Sequence, residues 1–370
     1  MAHVLVTGGA GFVGAHLASA LLAAGDRVRV LDNLVPQVHG DVTRPEYLDP
    51  DVELLTGDVR NPEAVRAALA GVDRVVHLAA RVGVGQSMYE IAEYTSVNTT
   101  GTAVLLEALL DNPVERLVVA SSMSIYGEGL YRDASGALVP GALRPRERLA
   151  AGKWEPLGAD GLELTPVPTP EDKPPALTSV YALNKYDQER LALMFGDAYS
   201  TPTTALRFFN IYGPYQALSN PYTGVLAIFA SRLLNGRPPL IFEDGEQRRD
   251  FVSVSDVARA CRLALDSSAA AGRVINIGSG RSISVNEISR RLAAVIGREE
   301  ITPEITGKYR VGDIRHCFAD IRLARELLGF VPEVELDAGL AELAQWLEGQ
   351  VAIDSVDDAA KQLAARGLTV

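Results

Sequence analysis

The chain is poor in cysteine. Its 370 residues include only Cys261 and Cys317, which excludes a disulfide-stapled scaffold and fits two buried thiols in a reducing compartment. No arrangement of Cys and His has metal-ligand spacing, so no metal site is expected. No basic run or stripe occurs, and the formal net charge is −12 with a pI of about 5.0. Those absences exclude a nucleic-acid surface and an anionic-membrane surface. No apolar run is long enough to cross a bilayer. The first residues enter a strand almost at once, without the basic region, apolar segment and cleavage site of a leader. The expectation is therefore a cytoplasmic protein. Hydrophobic residues at 47% supply a large core and exclude whole-chain disorder. The acidic balance still allows a phosphate ligand, bound by a few local arginines and helix N-termini.

What is present begins with alternation. Strand-like runs at Val4–Thr7, Val28–Asp32, Val52–Leu55, Arg74–Leu78 and Arg116–Ser121 are separated by helical patterns at Gly11–Ala24, Pro62–Ala70 and Val97–Leu110. This predicts an α/β fold, a doubly wound parallel sheet of Rossmann type with helices on both faces. Runs such as Arg-Val-Val-His-Leu suit strands buried on both sides. The pattern breaks from Glu128 to Ala176, a stretch rich in Pro, Gly and charge that is too long for an ordinary connection. It reads as an insertion that covers something or meets another subunit. A helix at Ser179–Ala198 and a strand at Thr204–Phe208 follow. The remainder mixes helices (Thr223–Asn235, Ser255–Asp266, Val285–Ile296, Ile321–Leu328, Leu336–Glu348) with short strands at Leu240–Phe242, Asp250–Val254 and Val274–Ile277. The expected organisation is residues 1–205 as a dinucleotide-binding domain carrying insertion 128–176, then 206–350 as a smaller α+β substrate region. A tail at 351–370 includes a candidate helix, Asp357–Arg366.

Gly8, Gly11 and Gly14 form a GxxGxxG turn after the first strand. The first permits a tight turn, the second lets a phosphate approach the backbone, and the third lets helix and strand pack closely. A pyrophosphate would sit on the helix N-terminus. Asp32 closes the second strand. A carboxylate there can accept both hydroxyl hydrogen bonds of an adenosine ribose and repels a 2′-phosphate, so NAD is expected rather than NADP. Asp58 is placed to meet the adenine edge, or equally to cap the helix that begins at Pro62.

Tyr181 and Lys185 stand four apart, on one helical face. An adjacent cation is expected to lower the phenol's pKa from its usual value near 10. A phenolate beside a nicotinamide can take a hydroxyl proton, and Lys185 can reach the nicotinamide ribose. Alone, such a pair is ordinarily a surface pair. Ser122 supplies a third member at the C-terminal end of a buried strand, where open α/β sheets bind ligands. A serine there can also satisfy its own backbone.

Together these residues resemble the extended short-chain dehydrogenase/reductase family, in its nucleotide-sugar epimerase and dehydratase branch. The resemblance spans roughly residues 3–350, broken at 128–176. It rests on Thr7–Gly14, Asp32-Asn33-Leu34, Gly57-Asp58-Val59, His77-Leu78-Ala79-Ala80, Asn98, Ser121–Gly127, Tyr181–Lys185, Arg207-Phe208-Phe209-Asn210, Arg249-Asp250-Phe251 and Asn276-Ile277-Gly278. It implies that Ser122, Tyr181 and Lys185 are the catalytic set. It adds Phe12, Val13, Asn33, Val59, Leu78, Ala79, Ala80 and Asn98 to the NAD contacts. For a substrate it implies Ser124, Asn210 on a pyrophosphate, Arg249 and Arg310 neutralising it, and Asp313 on the sugar-nucleotide side. Leu226 and Phe229 would line the nucleoside pocket, though core packing explains them equally. Arg249 could instead pair with Asp250 or Glu246.

The resemblance also bears on the reaction. Dehydratases of the branch carry Asp-Glu directly after the catalytic Thr, and its decarboxylases carry Glu at the second of those positions; here they are Met123 and Ser124. What remains is oxidation at one carbon and reduction of its other face. That describes a C4 epimerase acting on a UDP- or dTDP-hexose, of the UDP-glucose or dTDP-L-rhamnose type. Gln86-Ser87-Met88-Tyr89 favours the deoxyhexose. The rivals are a net oxidoreductase and a non-catalytic dinucleotide sensor; sensors commonly lose the Tyr/Lys pair. A homodimer is expected through a four-helix bundle of helices 97–110 and 179–198, whose apolar faces could equally be ordinary core.

Overall fold

Seven short runs rich in β-branched residues pair into one parallel sheet: β1 (His3–Thr7), β2 (Arg27–Asp32), β3 (Glu53–Thr56), β4 (Arg74–His77), β5 (Arg116–Ser122), β6 (Thr203–Phe208) and β7 (Val274–Ile277). The computed structural model describes residues 1–218, 220, 224–310, 312–350 and 356–369. The spatial order is β7-β6-β5-β4-β1-β2-β3, so the order reverses between β1 and β4. At such a switch point a crevice opens beyond the strands' carboxyl ends.

Strand alternation sorts the core into two faces. Val4 and Val6 of β1 point to one, where they meet Leu17 and Leu21 of α1 (Phe12–Ala23) and a helix beyond residue 250. Leu5 points to the other, against Val65 and Leu69 of α2 (Pro62–Leu69) and Leu105 and Leu109 of α3 (Gly101–Asp111). On that second face lies also α4 (Val180–Ala198), through Ala192 and Phe195. A third cluster joins Leu226, Phe229 and Leu233 of α5 (Val225–Leu234) to Ile288, Leu292, Leu340 and Leu343. The chain beyond 205 serves both regions: β7 and α6 (Val254–Asp266) complete the large sheet and its first face. Thr223, where α5 was expected to begin, lies outside the described residues.

The expected helix 97–110 differs in its first turn. Ile91–Thr95 is α-helical, Ser96–Thr100 forms a π-turn, and α3 starts at Gly101. The π-turn aims Asn98 at Arg81: Asn98 Oδ1 accepts the Arg81 N–H at 2.7 Å, and its Nδ2 donates to the Arg81 carbonyl at 3.0 Å. Single π-turns recur where a side chain must be re-aimed near a site.

The 128–176 insertion folds as a three-stranded antiparallel sheet, with Leu130–Arg132 between Leu138–Pro140 and Thr165–Val167. It is stapled to the C-terminal region by buried charge. Arg144 donates to both Glu243 carboxylate oxygens (2.7 and 3.0 Å), and Arg315 bonds Glu155, Glu243 and Asp244. Among the described residues no helix is long and apolar enough to cross a membrane. Among them, too, no three metal-binding side chains gather. Cys261 and Cys317 are both free and buried, and burial pushes their thiols up to about 12.

Candidate active site

The strands β1 to β6 end at one crevice, because parallel strands present the same end to the same side. A cavity of about 470 Å³ opens there. Its walls include Gly8 after β1, Asp32 at the end of β2, Leu78 to Ala80 after β4, Ser122 to Ser124 after β5 and Asn210 after β6.

The glycine turn is fitted by contact. Gly8 has φ +68°, and a Cβ there would lie 2.7 Å from the Ala79 nitrogen. A Cβ on Gly14 would lie 2.4 Å from Gly9 Cα, so only glycine lets α1 begin this close to β1. Asp32 is buried; its Oδ2 accepts the Ala10 N–H at 3.1 Å and its Oδ1 the Leu34 N–H at 2.9 Å. A carboxylate has about four acceptor directions, so two remain for a ribose. Phe12, Val13, Asn33, Val59, Leu78, Ala79 and Ala80 also line the cavity. An open helix N-terminus, a free-edged carboxylate and an apolar trough fit a dinucleotide.

Tyr181 and Lys185 reach the same cavity from α4. Ser179 caps this helix by accepting the Ala182 N–H (3.1 Å), and Ser87 accepts the Tyr181 N–H (3.1 Å). The same helical face continues through Gln188 and Glu189, which anchor it to the sheet. Gln188 donates to Thr102 Oγ1 (2.9 Å) beside His77, whose Nδ1 lies 2.7 Å from Thr7 Oγ1. Burial holds the His77 imidazole down to about 3, so it stays neutral. Glu189 accepts from Arg207 of β6 (2.8 and 2.7 Å) and from Ser121 of β5 (2.7 Å). These polar pins aim Tyr181 and Lys185 into the crevice.

The electrostatics correct one expectation. The Tyr181 phenol is raised above its ordinary value, not lowered, because burial outweighs the hydrogen bond from Ser122 that favours the phenolate. Burial also lowers Lys185 to about 7, with Glu189 opposing, so near neutrality the ammonium is only partly charged. Ser122 meets its backbone as well: its Oγ accepts the Ser124 N–H (3.2 Å) and lies 3.1 Å from Ser124 Oγ, which can donate to it.

Several expected site residues sit elsewhere. Asp58 is outside the cavity lining, bound to Arg60 (2.7 to 2.9 Å) and Asn33 (3.2 Å), and the Arg60 hydrogen bonds hold its carboxyl down to about 2. Asn61, not Asp58, caps α2. Asn98 acts behind the wall, on the Arg81 backbone. Leu226 lines the cavity, whereas Phe229, one turn on, is buried in the third core. Arg249 donates to the carbonyls of Arg248, Ile314 and Arg315 (2.5 to 3.0 Å) and lies 3.9 Å from Asp313. Its expected partner Asp250 instead accepts from Ser279, Gly280 and Ala319. Arg310 stacks on Phe242, 4.4 Å from the ring centroid. Arg249, Arg310 and Asp313 are thus grouped with one another and are not in the cavity lining. Asn210 does line it, with a buried Oδ1 that has no partner among the described residues.

Sequence reasoning missed a bridge across the crevice. Gln37 Nε2 donates to Gln86 Oε1 (3.1 Å) and Asn220 Oδ1 (3.2 Å), joining the short helices Pro36–His39 and Val84–Ser87 to Asn220; all three residues line the cavity. Nearby, Tyr215 stacks between His16 and Tyr47 (5.0 and 4.7 Å), docking the 210–218 loop on α1. No local motif marks these contacts, since each partner comes from a different part of the chain.

The chain is similar to known proteins over nearly its whole length. The model of the NAD dependent epimerase/dehydratase family matches residues 4–154 and 159–278. The dTDP-L-rhamnose 4-epimerase of Burkholderia thailandensis is 38% identical over 350 residues, 93% of this chain and 94% of that one. The solved UDP-glucose 4-epimerase of Thermotoga maritima, with UDP-glucose, superposes with a TM-score of 0.77 at 31% identity, covering 94% of this chain and 99% of that one. The Thermus thermophilus UDP-glucose 4-epimerase in complex with NAD gives 0.73 at 30% identity, covering 94% and 100%.

Proposed function

The chain belongs to the NAD-dependent epimerase/dehydratase family, and from that premise we propose that it inverts C4 of a nucleoside-diphosphate hexose through a 4-keto sugar. One observation carries the reading: Ser122, Tyr181 and Lys185 converge on the dinucleotide crevice, and among its described lining residues no carboxylate follows Ser122 at the strand end. The carboxylates among the described cavity-lining residues are Asp32, at the end of β2, and Glu93, paired with Arg60 at 3.1 Å. Dehydration across C5–C6 needs an acid–base pair at the strand end, where Met123 and Ser124 stand. Epimerisation needs only one proton site.

Gly8, Gly11, Gly14 and the N-terminus of α1 would hold the NAD phosphates, and Asp32 its adenosine ribose. Bound there, NAD supplies a hydride acceptor and donor at one carbon. Tyr181 Oη takes the 4-hydroxyl proton as C4 becomes a carbonyl, and Ser122 hydrogen-bonds the same oxygen. The keto sugar turns about its phosphate linkage, and Tyr181 returns the proton when the other face is reduced. Proton and hydride balance, so no net redox change results. Asn210 would donate an amide N–H to the pyrophosphate, and Arg249, Arg310 and Asp313 would supply charge on the sugar-nucleotide side. The dTDP-L-rhamnose end of the substrate range is favoured by Gln86-Ser87-Met88-Tyr89 and by the 38% identical relative.

Purified protein given NAD is expected to form a C4 epimer from at least one of dTDP-L-rhamnose, UDP-glucose, UDP-GlcNAc and UDP-glucuronate, read by NMR. Epimer from none sinks the proposal, and stoichiometric NADH turns it into a net oxidoreductase. A homodimer through α3 and α4 is part of it: Leu110, Leu183 and Met194 are 48%, 45% and 53% exposed on those helices. Sedimentation showing a 39.6 kDa species alone at every concentration removes that part.

Ser122→Ala carries a pH signature. The active base is the phenolate, and the Ser122 hydrogen bond favours it. A hydrogen bond to a charged group is worth about 1.5–3 kcal/mol, so its loss moves the acidic limb of the kcat profile up by about 1–2 pH units. A limb that stays in place, or moves down, contradicts the assignment.

A further inference from the structure

The helix Val356–Ala365 contacts two walls of the cavity without lining it. At one end Asp357 accepts from Arg232 (2.8 Å) and from Arg237 (3.3 Å). Arg232 lies on α5, whose first residues, Val225 and Leu226, face the cavity. At the other end Leu363, buried, sits on Gly85: a Cβ added there would lie 3.2 Å from Leu363 Cδ2. Tyr89 donates to Gln362 Oε1 (3.2 Å), and the Arg366 guanidinium covers the Tyr89 ring at 4.3 Å. Thr369 then bridges the Arg310 backbone.

Gly85 and Tyr89 belong to a short segment with three tasks. Gly83, Val84 and Gln86 line the cavity, Ser87 accepts the Tyr181 N–H, and Gln86 carries the bridge to Gln37. The terminal helix therefore joins the segment that seats the catalytic tyrosine to the helix on the substrate side. The contact is matched in charge and shape. Asp357 stands in the helix's first turn, where the dipole favours an acid, and it meets two arginines. Ala359 and Leu363, four apart, turn one buried face inward.

We propose that Val356–Ala365 is a positioning strap for the active site: docked, it sets the distance between the Tyr181 wall and the α5 wall, and so governs how tightly the nucleotide sugar is retained. None of its residues touches substrate; Leu363 and Arg366 act through the 83–90 segment, and Asp357 through α5. The substrate named here rests on the epimerase reading, but the strap itself does not.

The test uses the full chain in two variants, Leu363→Asp and, because its side chain is exposed, Arg366→Glu. Amide hydrogen exchange is expected to rise about tenfold at residues 83–90 while the strands β1 and β4 are unchanged. With the best sugar nucleotide, KM rises about tenfold and kcat stays within about twofold. Unchanged exchange at 83–90 in both variants overturns the proposal. So does an unchanged KM, or a fall in kcat together with faster exchange across the whole sheet. The exchange measurement needs no substrate. A wild type that turns over no sugar therefore sinks the epimerase reading alone, and exchange then decides the strap.

Discussion

Tyr181→Phe is expected to lower kcat by about 10²–10⁴-fold, the range for removing a positioned general acid–base. The substitution takes away one oxygen and leaves the ring. The phenol is buried and its oxygen is engaged with Ser122, whose own hydroxyl keeps Ser124 as a partner at 3.1 Å. No buried charge is stranded, so the thermal midpoint should move by only a few degrees for about 1 kcal/mol. The bound NAD content should match the wild type, since the glycine turn and Asp32 come from β1, α1 and β2 and not from the helix that carries Tyr181. Single-turnover measurement on the preferred sugar nucleotide separates the two quantities. A variant that epimerises at the wild-type rate removes Tyr181 from the chemistry and the C4 mechanism with it. A variant that loses turnover because it no longer retains NAD does the same, since the tyrosine would then serve the cofactor rather than the proton.

Glu189→Ala is expected to cost about 3–5 kcal/mol of stability, the range for stranding one partner of a buried ion pair. Burial alone would weaken the Arg207 charge, and the Glu189 hydrogen bonds more than reverse that. Without the carboxylate, Arg207 keeps its charge in a site where both side chains are nearly inaccessible, at 5% and 1% exposure. Among the described residues it retains its bond to the Glu171 carbonyl (3.1 Å) and its contacts with Tyr126, whose ring centroid lies 4.8 Å from the guanidinium. Ser121 loses its acceptor as well. The helix that carries Tyr181 and Lys185 would thus be unpinned from β5 and β6 together. Urea unfolding followed by circular dichroism gives the cost. A loss below about 1 kcal/mol would mean that water or a neighbour satisfies Arg207 as readily. The double change Glu189→Met with Arg207→Met should recover part of the loss, because it removes both charges rather than one.

These two residues also mark how far the chain could be read before it was folded. Tyr181, Lys185 and Glu189 share a helical face by spacing alone, yet nothing in the spacing of Glu189 distinguished it from a solvated acid. The direction of the Tyr181 shift is hidden from the sequence for the same reason. An adjacent lysine is visible in a seven-residue window, whereas burial is a sum over every element packed around the phenol. Resemblance assigns Arg249 and Arg310 to a phosphate, but the partners they hold in the folded chain are not legible in the sequence. In the folded chain one donates to backbone carbonyls near residue 315 and the other stacks on Phe242. The insertion is recognisable by its broken pattern, but its clamp on Glu243 and Arg315 is not, since those partners lie 99 and 160 residues further along the chain.

By itself the amino-acid order determined the strand–turn–helix of residues 3–23, the alternation that makes the sheet parallel, and the pairing of a phenol with an ammonium on one helix face. Each is a local constraint: a left-handed φ at Gly8, the absence of a side chain at Gly14, a period of two or of 3.6. Only the tertiary structure decided which groups titrate abnormally, which arginines are already engaged, and which segments meet across the crevice at Gln37, Gln86 and Asn220. Those depend on burial and on partners contributed from distant segments, and no window of sequence contains them.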